Sequence, residues 1–465
     1  MNRIFIAILL FSAAACMSQE TVKFSDSAVL TRLTRDVHIL CSDSLAGRKS
    51  GTAGEQKAYT YISRCFQEAG LTPCAMNDSS FLQSFPIENL SIPFKSNSFT
   101  IEGLDIAPRL HYKFSPVAYS ANGRMEGNKY IVVDLSGFRK KQQMKSNTIF
   151  KSLRQVIRDA FQQGNSAVIL TNEWMVNSQK TDSLYNWADV KSEQGLVISV
   201  NDDIAEYLQN HPGVNISIMV EVVRKSTIFH NVVGFINNGA PYTIIIGAHY
   251  DHLGTNSHGY VYNGADDNAS GTVVALELAR YLKQCGDKTN NYLFIAFSGE
   301  EEGLYGSGYF VKHPMIGLET INFMINLDMV GRLGCEGNLV TIFGTGSSSA
   351  WHTVYKETAH PWFHLRRMQG VHLFTDHVGF YQRGIPVVSL TTGFHYDYHT
   401  THDDVSTLNY TGMVDIVKYL QGLLHTTSSK GKVGYHKIAG WYNFNANLKI
   451  VVNGIDHILM VGSDE

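Results

Sequence analysis

Several short apolar runs in the second half of the chain stop abruptly at a polar residue. Ile244, Ile245 and Ile246 show no alternation, which predicts a strand buried on both faces. The run ends at Gly247, and His249 and Asp251 follow where the chain must leave the sheet. Three more segments repeat the plan. Residues 292–297 end in Gly299-Glu300-Glu301-Glu302, residues 323–327 end in Asp328, and residues 385–390 run out into Tyr396-Asp397-Tyr398-His399. Strands of this kind belong to mostly parallel sheets covered by helices, where functional groups gather beyond the carboxyl ends. The pattern predicts a doubly wound, mixed but mostly parallel α/β sheet with helices on both faces and one polar site.

Helical spacing places helices at 28–42, 58–69, 269–282 and 408–424, with a turn-rich loop over 43–54. Residues 110–225 change character. They show strands at 130–135, 167–170 and 195–200, a helix over 156–163 and a short helix near 204–208, and nothing there pairs histidine with carboxylates. This stretch is expected to be a small α/β or β-rich insert, dividing a main domain of 17–109 and 226–430. Residues 431–465 read as a terminal extension with a β-hairpin built from 448–452 and 458–461.

Composition changes this picture little. The apolar fraction of 44% supports a large core and argues against disorder. Lys and Arg (38) nearly balance Asp and Glu (41), with no long basic run, so nucleic acid is not an expected partner. The N-terminus is more informative. Met1-Asn-Arg3, an apolar stretch over 4–11 and Ser12-Ala-Ala-Ala-Cys16 form a secretory signal over 1–16 that is too short to span a bilayer. Cys16 after three alanines resembles a bacterial lipobox, so an exported protein is expected: a lipoprotein of the cell envelope anchored through Cys16, or a chain cleaved and released. The other five cysteines are scattered, with no C-x-x-C pair; a bridge such as Cys65 to Cys74 stays open.

The candidate chemistry lies at the strand ends. His249, Asp267, Glu301, Asp328 and His399 supply two imidazoles and three carboxylates, the donors zinc takes. The set is too large for one tetrahedral ion and suits two zinc ions sharing a bridging carboxylate. Taken singly, each has a structural explanation: Asp267 as the N-cap of the next helix, Asp328 as the cap of a turn, residues 300–302 as a solvated acidic turn. Their joint placement at strand ends favours the metal reading. Adjacent side chains on a turn diverge, so one of Glu300 and Glu301 can bind metal while the other serves as general base. Asp251, two residues after His249, fits a partner that fixes the imidazole tautomer.

His249-Tyr-Asp251, Gly264-Ala-Asp-Asp-Asn-Ala-Ser-Gly271, Phe297-Ser-Gly-Glu-Glu-Glu-Gly-Leu-Tyr-Gly-Ser307, Asn326-Leu-Asp-Met-Val-Gly331 and Tyr398-His-Thr400 resemble the ordered motifs of the M28 family of zinc aminopeptidases. The loop from Asp43 to Gly54 is similar to that family's N-terminal Leu-x-Gly-Arg-x-x-Gly-Thr-x-Gly segment. The resemblance covers roughly residues 30–85 and 230–425. It implies His249, Asp267, Glu301, Asp328 and His399 as ligands, with Asp267 bridging and followed by a cis peptide bond. It also implies Glu300 as the base, Asp251 as the orienter of His249, Tyr398 as a donor to the oxyanion, and no metal role for His395 or His402. The insert is similar to the protease-associated domain carried by many such enzymes. The expected function is that of an exported di-zinc aminopeptidase acting on peptides. A single-zinc glutaminyl cyclase, a carboxypeptidase of the same fold and a non-catalytic binding ectodomain are its rivals.

Overall fold

The computed structural model describes residues 24–74, 80–91, 96–104, 114–117, 120–135, 146–171, 193–256, 258–335, 337–358, 361–372, 374–438, 448–452 and 455–459. The signal segment 1–16, with Cys16, lies outside the described residues. The chain divides into two compact units, Met1–Phe85 with Ile228–Glu465, and Pro86–Thr227.

In chain order the elements are α1 (Asp26–Leu40), α2 (Ala53–Ala69), β1 (Thr72–Pro73), β2 (Leu82–Ser91), β3 (Ser98–Ile101), β4 (Phe114–Pro116), β5 (Gly123–Gly127), β6 (Tyr130–Asp134), α3 (Ser146–Gln162), β7 (Ala167–Thr171), β8 (Leu196–Val200), α4 (Asp202–Asn210) and β9 (Ile216–Val220). They continue with β10 (Val223–Ile236), β11 (Thr243–His249), α5 (Gly271–Cys285), β12 (Asn291–Phe297), α6 (Tyr305–Lys312), β13 (Ile321–Leu327), β14 (Leu339–Phe343), α7 (Ala350–Glu357), β15 (His364–Arg367), α8 (His377–Gln382), β16 (Val387–Thr391) and α9 (Tyr410–Ser428). The hairpin strands β17 (Leu448–Val452) and β18 (Ile455–Leu459) come last.

The larger unit is built on a sheet ordered β1-β10-β12-β11-β13-β16-β14-β15, with β2 also paired to β10. Its four central strands, β12, β11, β13 and β16, are mutually parallel, so their carboxyl ends share one edge. The chain passes from β11 to β12 on one side and to β13 on the other, which opens a crevice beyond the end of β11. Every residue of β11, β12 and β13 is buried, as their predominantly apolar sequences favour. Ile244 and Ile246 pack into a core with residues of α1, α2, α5 and α9. Ile245 points the other way, into a core with Phe310, Val311, Phe380 and Tyr381 from α6 and α8. Helices therefore cover both faces, as the sequence pattern predicts.

Local signals set the helix ends. The Thr52 side chain caps α2 by accepting the Glu55 N–H, and Gly70 closes that helix at a left-handed φ of 81°. Asn409 caps α9 through the Gly412 N–H. Cys65 and Cys74 are both free thiols, so no bridge forms between them.

The smaller unit holds a three-stranded sheet, β3-β9-β5, and a four-stranded sheet, β4-β8-β7-β6. It starts at Pro86, earlier than the expected 110, because β3 pairs antiparallel with β9. Ser-Phe-Thr-Ile is a four-residue strand buried at alternate positions, too short a pattern to separate from a loop by sequence. The C-terminal boundary also moves. Val433, Tyr435 and Ile438 pack into the cores of the larger unit, so the segment up to residue 438 is part of it. The terminal hairpin pairs residues 448–452 with 455–459.

Candidate metal centre

The sequence folds so that each candidate donor falls at a strand end. His249 is the last residue of β11, and its neighbour in register is Phe297 at the end of β12. Asp328 follows β13 directly, its backbone N–H bonded to the Leu390 carbonyl of β16 at 3.1 Å. Glu300 and Glu301 lie on the turn after β12, and His399 lies on the loop after β16.

Asp267 stands at the centre. Its Oδ1 is 3.3 Å from His249 Nε2, which is itself 3.4 Å from Asp328 Oδ1. Its Oδ2 is 3.1 Å from His399 Nε2, which is 3.0 Å from Glu301 Oε2. One carboxylate thus faces two separate donor groups, one with each oxygen. Donors 2.0–2.1 Å from a tetrahedral zinc lie about 3.3 Å from one another, and these spacings agree. Asp267 Oδ2 is buried, and among the described residues its nearest polar neighbour of opposite charge is His399 Nε2, itself a candidate ligand, which also fits a cation there. His249, Asp267 and Asp328 converge closely enough to hold one ion, and so do His252, Asp267 and Glu301.

The electrostatics point the same way. Burial pushes the Glu300 carboxyl well above its usual range, only partly offset by His249, and Asp328, Glu301 and Asp376 push it further. Burial likewise raises Asp376 to about 7. His249 and His399 would lose their protons on burial, yet the surrounding carboxylates raise both, His399 to about 10. Burial alone would raise Glu301 too, but His399 and a hydrogen bond from His252 bring it down to about 2. The carboxylates gathered around both imidazoles concentrate negative charge of the kind a divalent cation offsets.

The bridging loop is held from several sides. The Asp403 carboxylate accepts the N–H groups of Asp266 and Asp267 at 3.0 Å, and Asp266 Oδ1 accepts the Gly331 N–H. Asn268 bonds the carbonyl of Leu327 and the N–H groups of Gly271 and Met329. The Asp267–Asn268 peptide is cis. Arg48, fully buried, donates to the carbonyls of Tyr250, Asn263 and Gly264, and to that of Leu40. Its loop therefore ties the start of the unit to the segment between His249 and Asp267.

Two details differ from the sequence reading. Asp251 is 3.8 Å from His249 Nδ1, beyond hydrogen-bonding distance, and Nδ1 instead lies 3.3 Å from the Asp251 carbonyl. The Asp251 carboxylate turns away to the amides of Glu300 and Glu301. The second is His252, which the sequence reading passed over and which lies 2.7 Å from Glu301 Oε1. His395 bonds Asp266 rather than joining either donor group, and His402 is exposed. Tyr398 stacks on His399 with ring centres 3.8 Å apart.

The sheet order brings both donor groups together beyond the carboxyl ends of the central parallel strands. Residues 231–423 match the profile of peptidase family M28. It is 26% identical over 258 residues to an aminopeptidase of Pseudomonas aeruginosa strain UCBPP-PA14, covering 52% of this chain and 46% of that protein. It is 43% identical over 95 residues to aminopeptidase YwaD of Bacillus subtilis strain 168, covering 20% of this chain and 19% of that protein. The chain thus spans about half the length of the first relative. Among solved structures, an aminopeptidase from Aneurinibacillus sp. strain AM-1 superposes with a TM-score of 0.58 at 19% identity, covering 90% of this chain and 97% of that one. BSAP, a zinc aminopeptidase from Bacillus subtilis, gives 0.52 at 20% identity, with coverages of 87% and 95%. These likenesses establish a shared fold.

Proposed function

We propose that the chain is an exported zinc-dependent aminopeptidase that removes N-terminal residues from peptides. The observation that carries this reading is the division of Asp267, with Oδ1 toward His249 and Asp328 and Oδ2 toward His399 and Glu301. It supports two zinc sites sharing one carboxylate. Zinc bound there would lower the pKa of water and polarise a peptide carbonyl. The chain's own contribution is proton handling and orientation. Glu300 Oε2 lies 3.9 Å from His249 Nε2, beside the donor groups. That position suits a carboxylate that takes a proton from the attacking water and returns it to the leaving amine. Asp251 fixes the turn carrying Glu300 through two backbone amides. The insert is read as a protease-associated-like domain.

Zinc stoichiometry, combined with a panel of aminoacyl-anilides free or blocked at the amino end, tests the reading. Two zinc ions per chain and cleavage of free substrates alone are expected. One zinc per chain with cyclisation of N-terminal glutamine, or cleavage from the carboxyl end, would replace it.

A further inference from the structure

His252 is placed where it can decide how Glu301 presents itself. Its side chain is fully buried, and Nδ1 stands 2.7 Å from Glu301 Oε1, a charge-assisted hydrogen bond. The other ring nitrogen, Nε2, is buried and has no hydrogen-bond partner among the described residues. A neutral imidazole carries one proton, and here only Nδ1 has an acceptor, which fixes the tautomer. Glu301 then divides its oxygens: Oε1 takes the His252 proton donor, and Oε2 faces His399 Nε2 at 3.0 Å.

His252 and His399 are not equivalent. His399 Nε2 lies 3.1 Å from Asp267 Oδ2, close to the spacing of two ligands on one zinc, whereas His252 Nδ1 is 3.9 Å from the same oxygen. Although His252 converges with Asp267 and Glu301, its 2.7 Å approach to Glu301 Oε1 is shorter than the roughly 3.3 Å between two ligands of one zinc and is the spacing of a hydrogen bond. Its ring is held by the backbone beneath it. A Cβ on Gly264, which has φ of 56°, would stand 2.5 Å from the His252 ring atoms Cγ and Cδ2. The Gly264 carbonyl is in turn fixed by Arg48 Nη2 at 3.0 Å. A glycine is required at 264 both for its left-handed backbone and for the flat approach of that ring.

We propose that His252 is a positioning residue for the second zinc site. Donation from Nδ1 to Glu301 Oε1 turns Oε2 toward His399 and Asp267, so that Glu301 offers one oxygen to the metal rather than two. The inference rests on the two-site reading given under the proposed function. Partners that orient a metal-ligating carboxylate commonly account for about 10–100-fold in metal affinity.

The test uses the full chain and reads zinc per chain together with the affinity of the more weakly held ion, by competition with a chromophoric chelator. His252→Phe keeps a flat ring but removes the donor, and since Nε2 has no partner it leaves only Glu301 Oε1 unsatisfied. It should weaken that ion about 10–100-fold. His252→Asn places an amide N–H near the position of Nδ1 and should hold the ion within about threefold of wild type. Unchanged affinity in His252→Phe would reduce the residue to packing and overturn the inference. An equal loss in His252→Asn would overturn it differently, by making His252 a ligand itself. Should the phenylalanine not fold, His252→Ala takes its place with the same expected loss. A wild-type chain that binds only one zinc would sink the two-site reading, an outcome distinct from both.

Discussion

The Asp251 carboxylate accepts the backbone N–H of Glu300 at 3.3 Å through Oδ1, and through Oδ2 it accepts that of the next residue, Glu301, at the same distance. One side chain from the loop after β11 thus fixes the turn after β12 on which the proposed ligand Glu301 and the proposed base Glu300 both sit. Asp251→Asn would place an amide donor against one of two N–H groups. The turn should open, with zinc affinity falling roughly 10-fold or more and turnover falling with it. Chelator competition on the purified variant checks this; unchanged zinc affinity would leave Asp251 without the role.

Glu300→Gln removes a proton acceptor but none of the donors in the two groups around Asp267. Turnover should drop by ~10²–10⁴ while zinc content stays at the wild-type level. Metal analysis and anilide hydrolysis on the same sample separate the two effects. Full metal with near-normal turnover would refute the base assignment.

Acid sensitivity should have a specific source in His377. Burial, with His372 adding to it, pushes its pKa down to about 3, and neither ring nitrogen has a hydrogen-bond partner among the described residues. A depressed imidazole pKa means the unfolded chain binds the extra proton first. Its contribution to stability is complete above about pH 6.5 and is lost as pH falls toward about 3. Between about pH 6.5 and 5 this one residue accounts for roughly 1.5 kcal/mol. His377→Leu should flatten that part of the stability curve, measured by urea unfolding at each pH. A wild-type slope in the variant would show that His377 is not the group responsible.

Export is tested at the other end of the chain. If Cys16 carries lipid, Cys16→Ser should move the protein from the membrane fraction to the soluble one. Membrane association that survives the substitution would exclude lipidation as its cause.

The parallel core was legible because β11, β12 and β13 are buried along their whole length and carry mostly apolar side chains and no charged one until they end. Donors such as His249 and Asp328 are visible as the first polar groups after such a run. Asp403 and His252 were not legible in that way. Asp403 acts on amides 136 and 137 residues earlier in the chain, and His252 on a carboxylate 49 residues later. Neither separation leaves a local periodicity to read. Asp251 was legible as a polar neighbour of His249, but sequence spacing could not say that its carboxylate would turn across the sheet edge to Glu300. The strand β3 escaped because four residues hold too few alternations to stand out from a loop.

Arg48 sets a limit on what can be cut out of this protein. The family match begins at residue 231, yet the carbonyls of Tyr250, Asn263 and Gly264 depend on a guanidinium that arrives from residue 48. A fragment restricted to 231–423 would leave these groups without their donor, at about 1–3 kcal/mol for each that stays buried. It would also lose the helices α1 and α2 that pack Leu33, Ile62 and Phe66 against the sheet. The exchangeable module is therefore discontinuous. Recombination that transplanted only the later segment would deliver every donor of the metal centre without the residue that shapes the loop between His249 and Asp267.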